Sequence, residues 1–260
     1  MSESLEIEAI HYETNKPVKL EIRDGLISDI IETSGSSKNT SLYIAPGLID
    51  NQINGYNGVD FSGEELTPDK MKVAVSSIRM DGVTTFQPTI ITNNHKNLLR
   101  TFRNLARAIK YMDIRESISG FHLEGPYISP VEGFYGCHPA ECIRKPSWKE
   151  FCEYQQAAEG KIRQITLAPE SDGALEFIRL CVLNNIVVSI GHTNASAEQI
   201  KLAVDYGARL STHLGNGCAN LIDRHLNPLW PQLANDLLTP SIIADGHHLL
   251  PEEVQVFCKV

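Results

Sequence analysis

Three stretches of this chain end an apolar run on a side chain that can ligate a metal. In Ser119-Gly120-Phe121-His122-Leu123-Glu124-Gly125-Pro126-Tyr127 the run closes on a carboxylate followed by two residues that do not readily extend a strand. Gly adds backbone entropy and Pro lacks the N–H that a ladder needs, so the chain must turn with Glu124 at the tip. Val187-Val188-Ser189-Ile190-Gly191-His192-Thr193 closes on His192, and Arg209-Leu210-Ser211-Thr212-His213-Leu214-Gly215-Asn216 closes on His213. A lone His at a strand end is more often a hydrogen-bonded structural residue, and a lone Glu there is usually the first solvated position. One Glu and two His in matching positions on three strands are instead the donor set of a catalytic metal with an open coordination position. A metal so held can lower the pKa of a bound water and act as a Lewis acid.

Strand ends converge on one face when the strands run parallel, and the rest of the sequence supplies that arrangement. Strands are predicted at 42–53, 83–91, 117–124, 162–168, 186–192, 209–214 and 241–245, and helices at 68–80, 95–111, 147–159, 173–184 and 196–206. Repeated strand–helix units without a reversal predict an α/β protein with a (β/α)8 TIM-type barrel, whose catalytic residues gather at the C-terminal ends of several strands. Seven barrel strands are counted where a closed barrel has eight, and Val260 falls within what reads as the helix after strand seven. The barrel is therefore expected to be incomplete at its C-terminus. Residues 5–45 read differently. Alternating runs such as Val18-Lys19-Leu20-Glu21-Ile22 and Gly25-Leu26-Ile27-Ser28-Asp29-Ile30, divided by Asp24-Gly25 and bounded by a Ser/Gly-rich stretch from Thr33 to Thr40, predict a small antiparallel sheet. The expected organisation is a small β-rich domain over 1–45 followed by the barrel over 46–260.

With 260 residues, 42% hydrophobic and 21% charged, the chain can bury a large core and has no disordered character. A formal net charge of −9 with no Lys/Arg run offers nucleic acid no basic footprint. The acidic start Met1-Ser2-Glu3-Ser4-Leu5-Glu6 lacks the basic-then-apolar order of a secretory signal, and no apolar run approaches a membrane span. A cytoplasmic location with no membrane partner is expected. Cys137, Cys142, Cys152, Cys181, Cys218 and Cys258 form no Cys-x-x-Cys pair, so they read as reduced packing residues and not as a disulfide framework or a zinc cluster.

Seven short motifs then follow one another in an informative order. They are Pro46-Gly47-Leu48-Ile49-Asp50, Gly82-Val83-Thr84-Thr85, His122-Leu123-Glu124-Gly125-Pro126, Leu167-Ala168-Pro169-Glu170, Gly191-His192-Thr193-Asn194-Ala195, Thr212-His213-Leu214 and Ala244-Asp245-Gly246-His247-His248. On these the chain resembles the amidohydrolase superfamily, specifically the N-acetylglucosamine-6-phosphate deacetylase family, through essentially its whole length. The resemblance implies a metal-dependent hydrolase that removes the acetyl group from an N-acetyl amino sugar, N-acetylglucosamine 6-phosphate first of all, giving glucosamine 6-phosphate and acetate. Many amidohydrolases carry a His-x-His pair at the end of strand one for a second metal, and Gln52 and Asn54 stand in those positions. Amides are poor zinc ligands beside imidazole, so the resemblance implies one divalent ion, zinc, held by Glu124, His192 and His213. It further implies that His138 helps to polarise the acetyl carbonyl, that Gln52, Asn54 and His138 meet the substrate, and that Asn216, Arg224 and His248 contact the phosphate. A homo-oligomer, a dimer, is implied for the full-length form.

The sequence departs from that family in three places. Residues 132–138 read Glu-Gly-Phe-Tyr-Gly-Cys-His where Lys-Gly-Ala-His is usual, and Gly-Asn-Gly-Cys-Ala-Asn-Leu at 215–221 stands for an aromatic-Asn-Ala-Met segment. The family's catalytic Asp ends an eighth strand that these residues are not expected to include, and Asp245 on strand seven does not match it. Two other readings stay open: an amidohydrolase acting on a different cyclic or acyl amide, and a barrel that binds an aminosugar or a metal without turning it over.

Overall fold

Period-2 burial shapes the first part of the chain. The computed structural model describes residues 4–33, 41–63, 65–110 and 112–259, and the chain divides into two compact units, Met1–Leu48 and Ile49–Val260. In the first unit β1 (Ser4–His11), β2 (Pro17–Arg23), β3 (Leu26–Glu32) and β4 (Tyr43–Ile44) form a sheet of order β3-β2-β1-β4. Ala9, Val18 and Leu20 are buried while their neighbours in sequence are not, the alternation of a one-faced sheet. Asp24 and Gly25 both hold positive φ, 50° and 79°, and close the β2–β3 hairpin as an Asp-Gly dipeptide should. The expected all-antiparallel sheet needs one correction. β4 pairs parallel to β1, through Ile10 with Tyr43 and His11 with Ile44, because the chain returns through a connection longer than a hairpin turn. The predicted Ser/Gly-rich stretch lies, over 34–40, outside the described residues.

The predicted strand 42–53 is two strands. Pro46 donates no hydrogen bond, and beyond it β5 (Leu48–Ile53) belongs to the second unit's sheet. A short ribbon of β6 (Gly55–Tyr56) and β7 (Val59–Asp60) follows. The larger sheet contains β5, β8 (Val83–Ile91), β9 (Phe121–Glu124), β10 (Ile162–Leu167), β11 (Val187–Ile190), β12 (Leu210–Ser211) and β13 (Thr239–Pro240), each beside its predecessor in the chain. From β8 to β13 every pairing is parallel. With α1 (Pro68–Met80), α2 (His95–Ala108), α3 (Met112–Arg115), α4 (Trp148–Ala157), α5 (Ala174–Leu183), α6 (Ala197–Asp205), α7 (Leu229–Leu233) and α8 (Pro251–Phe257) between and after the strands, this is the seven-stranded, barrel-type α/β fold that the alternation predicts.

Local chemistry sets the helix starts. Thr67, Asn94, Ser147 and Ser196 each accept a backbone N–H three residues on, and Gln199 returns the bond to Ser196 in a capping box. α2 buries Leu98, Phe102 and Leu105, the spacing of one helix face. Phe102 then meets Phe121 of β9 and Tyr154 of α4, with ring centroids 6.3 and 6.2 Å apart, which ties two helices to the strand that carries Glu124.

Three strand ends differ from expectation. Residues 117–120 contribute only the isolated bridge of Ile118 to Phe86, and β9 begins after Gly120. Leu210–Ser211 is shorter than 209–214 because the backbone turns left-handed at His213, φ 29°. The last strand is Thr239–Pro240 and not 241–245. Ile242-Ile243-Ala244 has the composition of a buried strand, but β12 offers only two residues to pair with, so the ladder gives out at Ser241, whose N–H donates to Ser211 O at 2.8 Å. No described helix is long and apolar enough to cross a membrane.

Because Phe102 is fully buried at this junction, Phe102→Ala should lower the unfolding free energy by about 3–5 kcal/mol. Urea denaturation followed by tryptophan fluorescence measures it, and a loss below about 1 kcal/mol would mean that α2 does not share the core of β9.

Candidate metal centre

The parallel register places the ends of β9, β11 and β12 side by side. Glu124 is the last residue of β9, while His192 and His213 each lie two residues beyond their strands. All three are buried. Glu124 Oε1 lies 2.9 Å from His213 Nε2 and 3.3 Å from His192 Nε2, and the two Nε2 atoms are 3.2 Å apart. Ligands about 2.0–2.1 Å from a tetrahedral zinc lie roughly 3.3 Å from one another, so the triangle has the right size as well as the right donors.

Hydrogen-bond partners argue for a cation at its centre. His192 Nδ1 donates to the carbonyl oxygen of Phe134 at 2.9 Å, because a carbonyl can only accept. In the neutral ring Nε2 then carries a lone pair, and it points at a carboxylate oxygen. One hydrogen on His213 Nε2 could serve the contact to Glu124, but the lone pair of His192 would still face Glu124 at 3.3 Å. That contact is repulsive unless positive charge, a proton or a metal ion, lies between. Burial pushes the Glu124 carboxyl up, but the imidazoles of His192 and His213 beside it outweigh burial and hold the group well below the usual carboxylate range. The acid is therefore anionic, as a ligand must be.

Tight packing fixes the ligands. His192 and His213 have φ of 50° and 29°, left-handed values uncommon outside Gly, and such residues cluster at functional sites. A Cβ on Gly191 would lie 2.6 Å from Thr212 Cβ and 2.9 Å from Thr166 Cγ2, so the chain before His192 approaches its neighbours as only Gly can. Below the ligands the interior is polar. His122 lies 3.2 Å from Thr89 Oγ1 through Nδ1 and 2.7 Å from Thr166 Oγ1 through Nε2, and Thr166, Thr212 and Ser189 continue the chain at 2.7 and 2.6 Å. Burial pushes the His122 imidazole down to about 4, which leaves the ring neutral within this chain of hydroxyls.

Above the triad opens a cavity of about 600 Å³ whose wall includes Gln52, Asn54, His138, Asn216 and His248 together with the three ligands. The structure thus brings together every residue singled out from the sequence except one. Arg224 is exposed on the loop after β12 and does not line this cavity; its carbonyl oxygen accepts from Trp230 Nε1 at 3.0 Å. His138 is buried with Nδ1 2.7 Å from Thr92 Oγ1, its ring centroid 4.3 Å from that of His192, and burial with His192 alongside pushes its pKa down to about 4. Asn216 Nδ2 is buried with no hydrogen-bond partner among the described residues, a donor left for something in the cavity. Asp245 does not line the cavity; it accepts the N–H groups of His247 and His248 and the ring of His248, bonds that hold its carboxyl at about 2.

Sequence reasoning missed Asp60, Ser62, Asn93 and Cys137 in the wall, and Thr92 behind His138. For Thr92 and Asn93 a signal existed: they directly follow β8, so the strand-end logic that selected Glu124 applied to them. Asp60 and Ser62 come from the β6–β7 ribbon and the turn after it, which the sequence did not announce.

No family model matches the chain. The N-acetylglucosamine-6-phosphate deacetylase of Bacillus subtilis (strain 168) is 34% identical over 212 residues, 80% of this chain and 52% of the relative. The N-acetylgalactosamine-6-phosphate deacetylase of Escherichia coli O157:H7 is 30% identical over 243 residues, 92% of this chain and 63% of the relative. A Mycobacterium smegmatis N-acetyl-D-glucosamine-6-phosphate deacetylase variant, solved with N-acetyl-D-glucosamine-6-phosphate, matches with a TM-score of 0.85 and 28% identity over 98% of this chain and 67% of that one. Along most of its own length the chain is similar to N-acetylglucosamine-6-phosphate deacetylases. It spans about half to just under two thirds of the length of these two curated relatives. The fold match extends across both units, so the motifs that carry the resemblance sit on a shared backbone and not on a locally similar segment.

Gly191→Ala tests how the ligands are held. The added methyl must displace Thr212 or Thr166, and overpacking of this kind costs about 1–3 kcal/mol, read as a lower thermal midpoint. A variant as stable as the parent would show that the approach is looser than the distances say.

Proposed function

We propose that the protein is a metal-dependent deacetylase that hydrolyses the acetamido group of an N-acetyl amino sugar 6-phosphate, with N-acetylglucosamine 6-phosphate as first candidate. The observation that carries this is the lone pair of His192 Nε2 set against Glu124 and His213 at the floor of a cavity that Gln52, Asn54, Asn216 and His248 also line. Glu124, His192 and His213 would hold one divalent ion, zinc by their donor chemistry. When bound, such an ion supplies Lewis acidity, which makes a water acidic and an amide carbonyl electrophilic.

The chain's own residues divide the remaining work. His138, beside the ligands, meets the acetyl oxygen and stabilises the charge that develops there. Gln52 and Asn54 present amides where two imidazoles would hold a second metal, so they orient sugar hydroxyls. Asn216 donates its unpartnered Nδ2–H to a phosphate oxygen, and His248 adds a second contact from the same wall. Arg224, on the same loop as Asn216, is proposed as the cation that neutralises the phosphate, although its side chain stands outside the wall. A cytoplasmic location and a homodimeric full-length form complete the proposal. Since one relative is an N-acetylgalactosamine-6-phosphate deacetylase matching 92% of the chain, both epimers belong in the assay of acetate release by the full-length protein. Release from neither would overturn the reading.

Metal analysis should find about one divalent ion per chain, lost from a Glu124→Ala/His192→Ala double variant. Two tightly held ions, or an ion retained by the double variant, would remove the ligand assignment. Arg224→Ala should raise KM for the 6-phosphorylated sugar by about tenfold or more while leaving the unphosphorylated sugar nearly unaffected, since the charged fork acts only where a phosphate is present. Equal effects on the two substrates would take the phosphate away from Arg224.

A further inference from the structure

We infer that Thr92 is a positioning residue that sets the tautomer of His138, holding the ring hydrogen on Nε2 where it can be donated into the cavity. The inference rests on the reading of the cavity as a deacetylase site, but its test does not depend on turnover.

A neutral imidazole carries one ring hydrogen, so whatever bonds Nδ1 decides what Nε2 offers. Thr92 Oγ1 lies 2.7 Å from His138 Nδ1, and both residues are buried. The hydroxyl has one hydrogen to give and two acceptors in reach. The carbonyl oxygen of Glu124 is 3.4 Å away, beyond the roughly 2.5–3.0 Å of a good O–H···O bond, whereas Nδ1 is at full hydrogen-bonding distance. Thr92 therefore donates to Nδ1, Nδ1 is the lone-pair nitrogen, and the hydrogen sits on Nε2. Nε2 has no hydrogen-bond partner among the described residues, and His138 lines the cavity. A donor is what a developing oxyanion needs; the opposite tautomer would turn a lone pair towards it.

The direction of the hydroxyl is itself fixed. Gly125 holds φ 79°, and the place where its Cβ would be is occupied by Thr92 Oγ1, so the backbone leaving Glu124 packs directly on this oxygen. On the other side, Arg144 Nη1 donates to the carbonyl oxygen of Asn93 at 3.0 Å, while its Nε reaches both oxygens of Glu150 at 3.0 Å. Thr92 cannot swing away without disturbing either contact. One side chain thus sits between the ligand strand and the loop imidazole, orienting the second against the first.

The test is the ring nitrogen spectrum of His138 in the zinc-loaded protein with ¹⁵N-labelled histidine, assigned with His138→Gln, for the parent, Thr92→Val and Thr92→Ser. The parent and Thr92→Ser should show the hydrogen on Nε2. In Thr92→Val the Nδ1–H form should appear, with zinc content unchanged. A parent spectrum with the hydrogen on Nδ1, or a valine variant that keeps Nε2–H, would overturn the inference, as would loss of zinc from Thr92→Val, which would make Thr92 a support of Glu124. The parent spectrum decides even if the valine variant fails to fold. In the active protein kcat should fall about 10²-fold for Thr92→Val and recover in Thr92→Ser, the scale of one lost transition-state donor. A protein that shows the spectral change but releases no acetate would lose the proposed reaction and keep the tautomer assignment.

Discussion

A nitrogen lone pair, a carboxylate oxygen and a second imidazole nitrogen cannot share a triangle with sides near 3 Å in a buried site unless positive charge joins them. The rest of the larger unit serves that constraint. Parallel strands bring the three donors to one end of the sheet, Gly191 lets the backbone before His192 approach Thr212 and Thr166, and the carbonyl oxygen of Phe134 commits the hydrogen of His192 to the far side of its ring. Without a cation the cluster holds an anionic carboxylate with too few hydrogens around it, and an unpaired buried charge is among the most destabilising features a fold can carry. A cation bound within the triangle would for that reason couple its binding to the folding of this end of the sheet.

The layer below the ligands uses a different solution to burying polarity. His122 and the hydroxyls of Thr89, Thr166, Thr212 and Ser189 satisfy one another in a continuous chain that crosses four strands. Such a network adds stability only when each member is paired, and here every link is present. It gives the ligand-bearing strand ends a rigid bed, since moving Thr212 to accommodate a change at His213 breaks bonds to two neighbours at once.

Much of this was legible from residue types alone. Glu124, His192 and His213 stood out because an apolar run that stops on a ligand is unusual, and three such stops on alternating strand–helix units determine both the architecture and the face on which the donors meet. The predicted helix starts at 68, 95, 147, 173 and 196 fall within one residue of those in the structure. What sequence could not supply was pairing. Ile242-Ile243-Ala244 reads as a strand but has no neighbour of matching length, and Tyr43-Ile44 joins β1 in parallel although nothing in those two residues says so. Thr92 escaped because a threonine after a strand is unremarkable until the imidazole opposite it, forty-six residues later in the chain, comes into view. Arg224 shows the converse: its type suits a phosphate, but position on a loop is not encoded by type, and the structure leaves it outside the cavity wall.

The left-handed backbone at His192 and His213 has one more consequence. Branched side chains are nearly barred from that conformation, whereas Asn and Asp enter it several times more readily than most residues. Among side chains able to ligate, the exchanges that the main chain tolerates best at these two positions are therefore those that replace a nitrogen donor with an oxygen donor. Zinc favours imidazole, while magnesium and manganese favour carboxylate and carbonyl oxygen. The backbone thus fixes where these two side chains start while leaving the donor atom they offer free to change between nitrogen and oxygen.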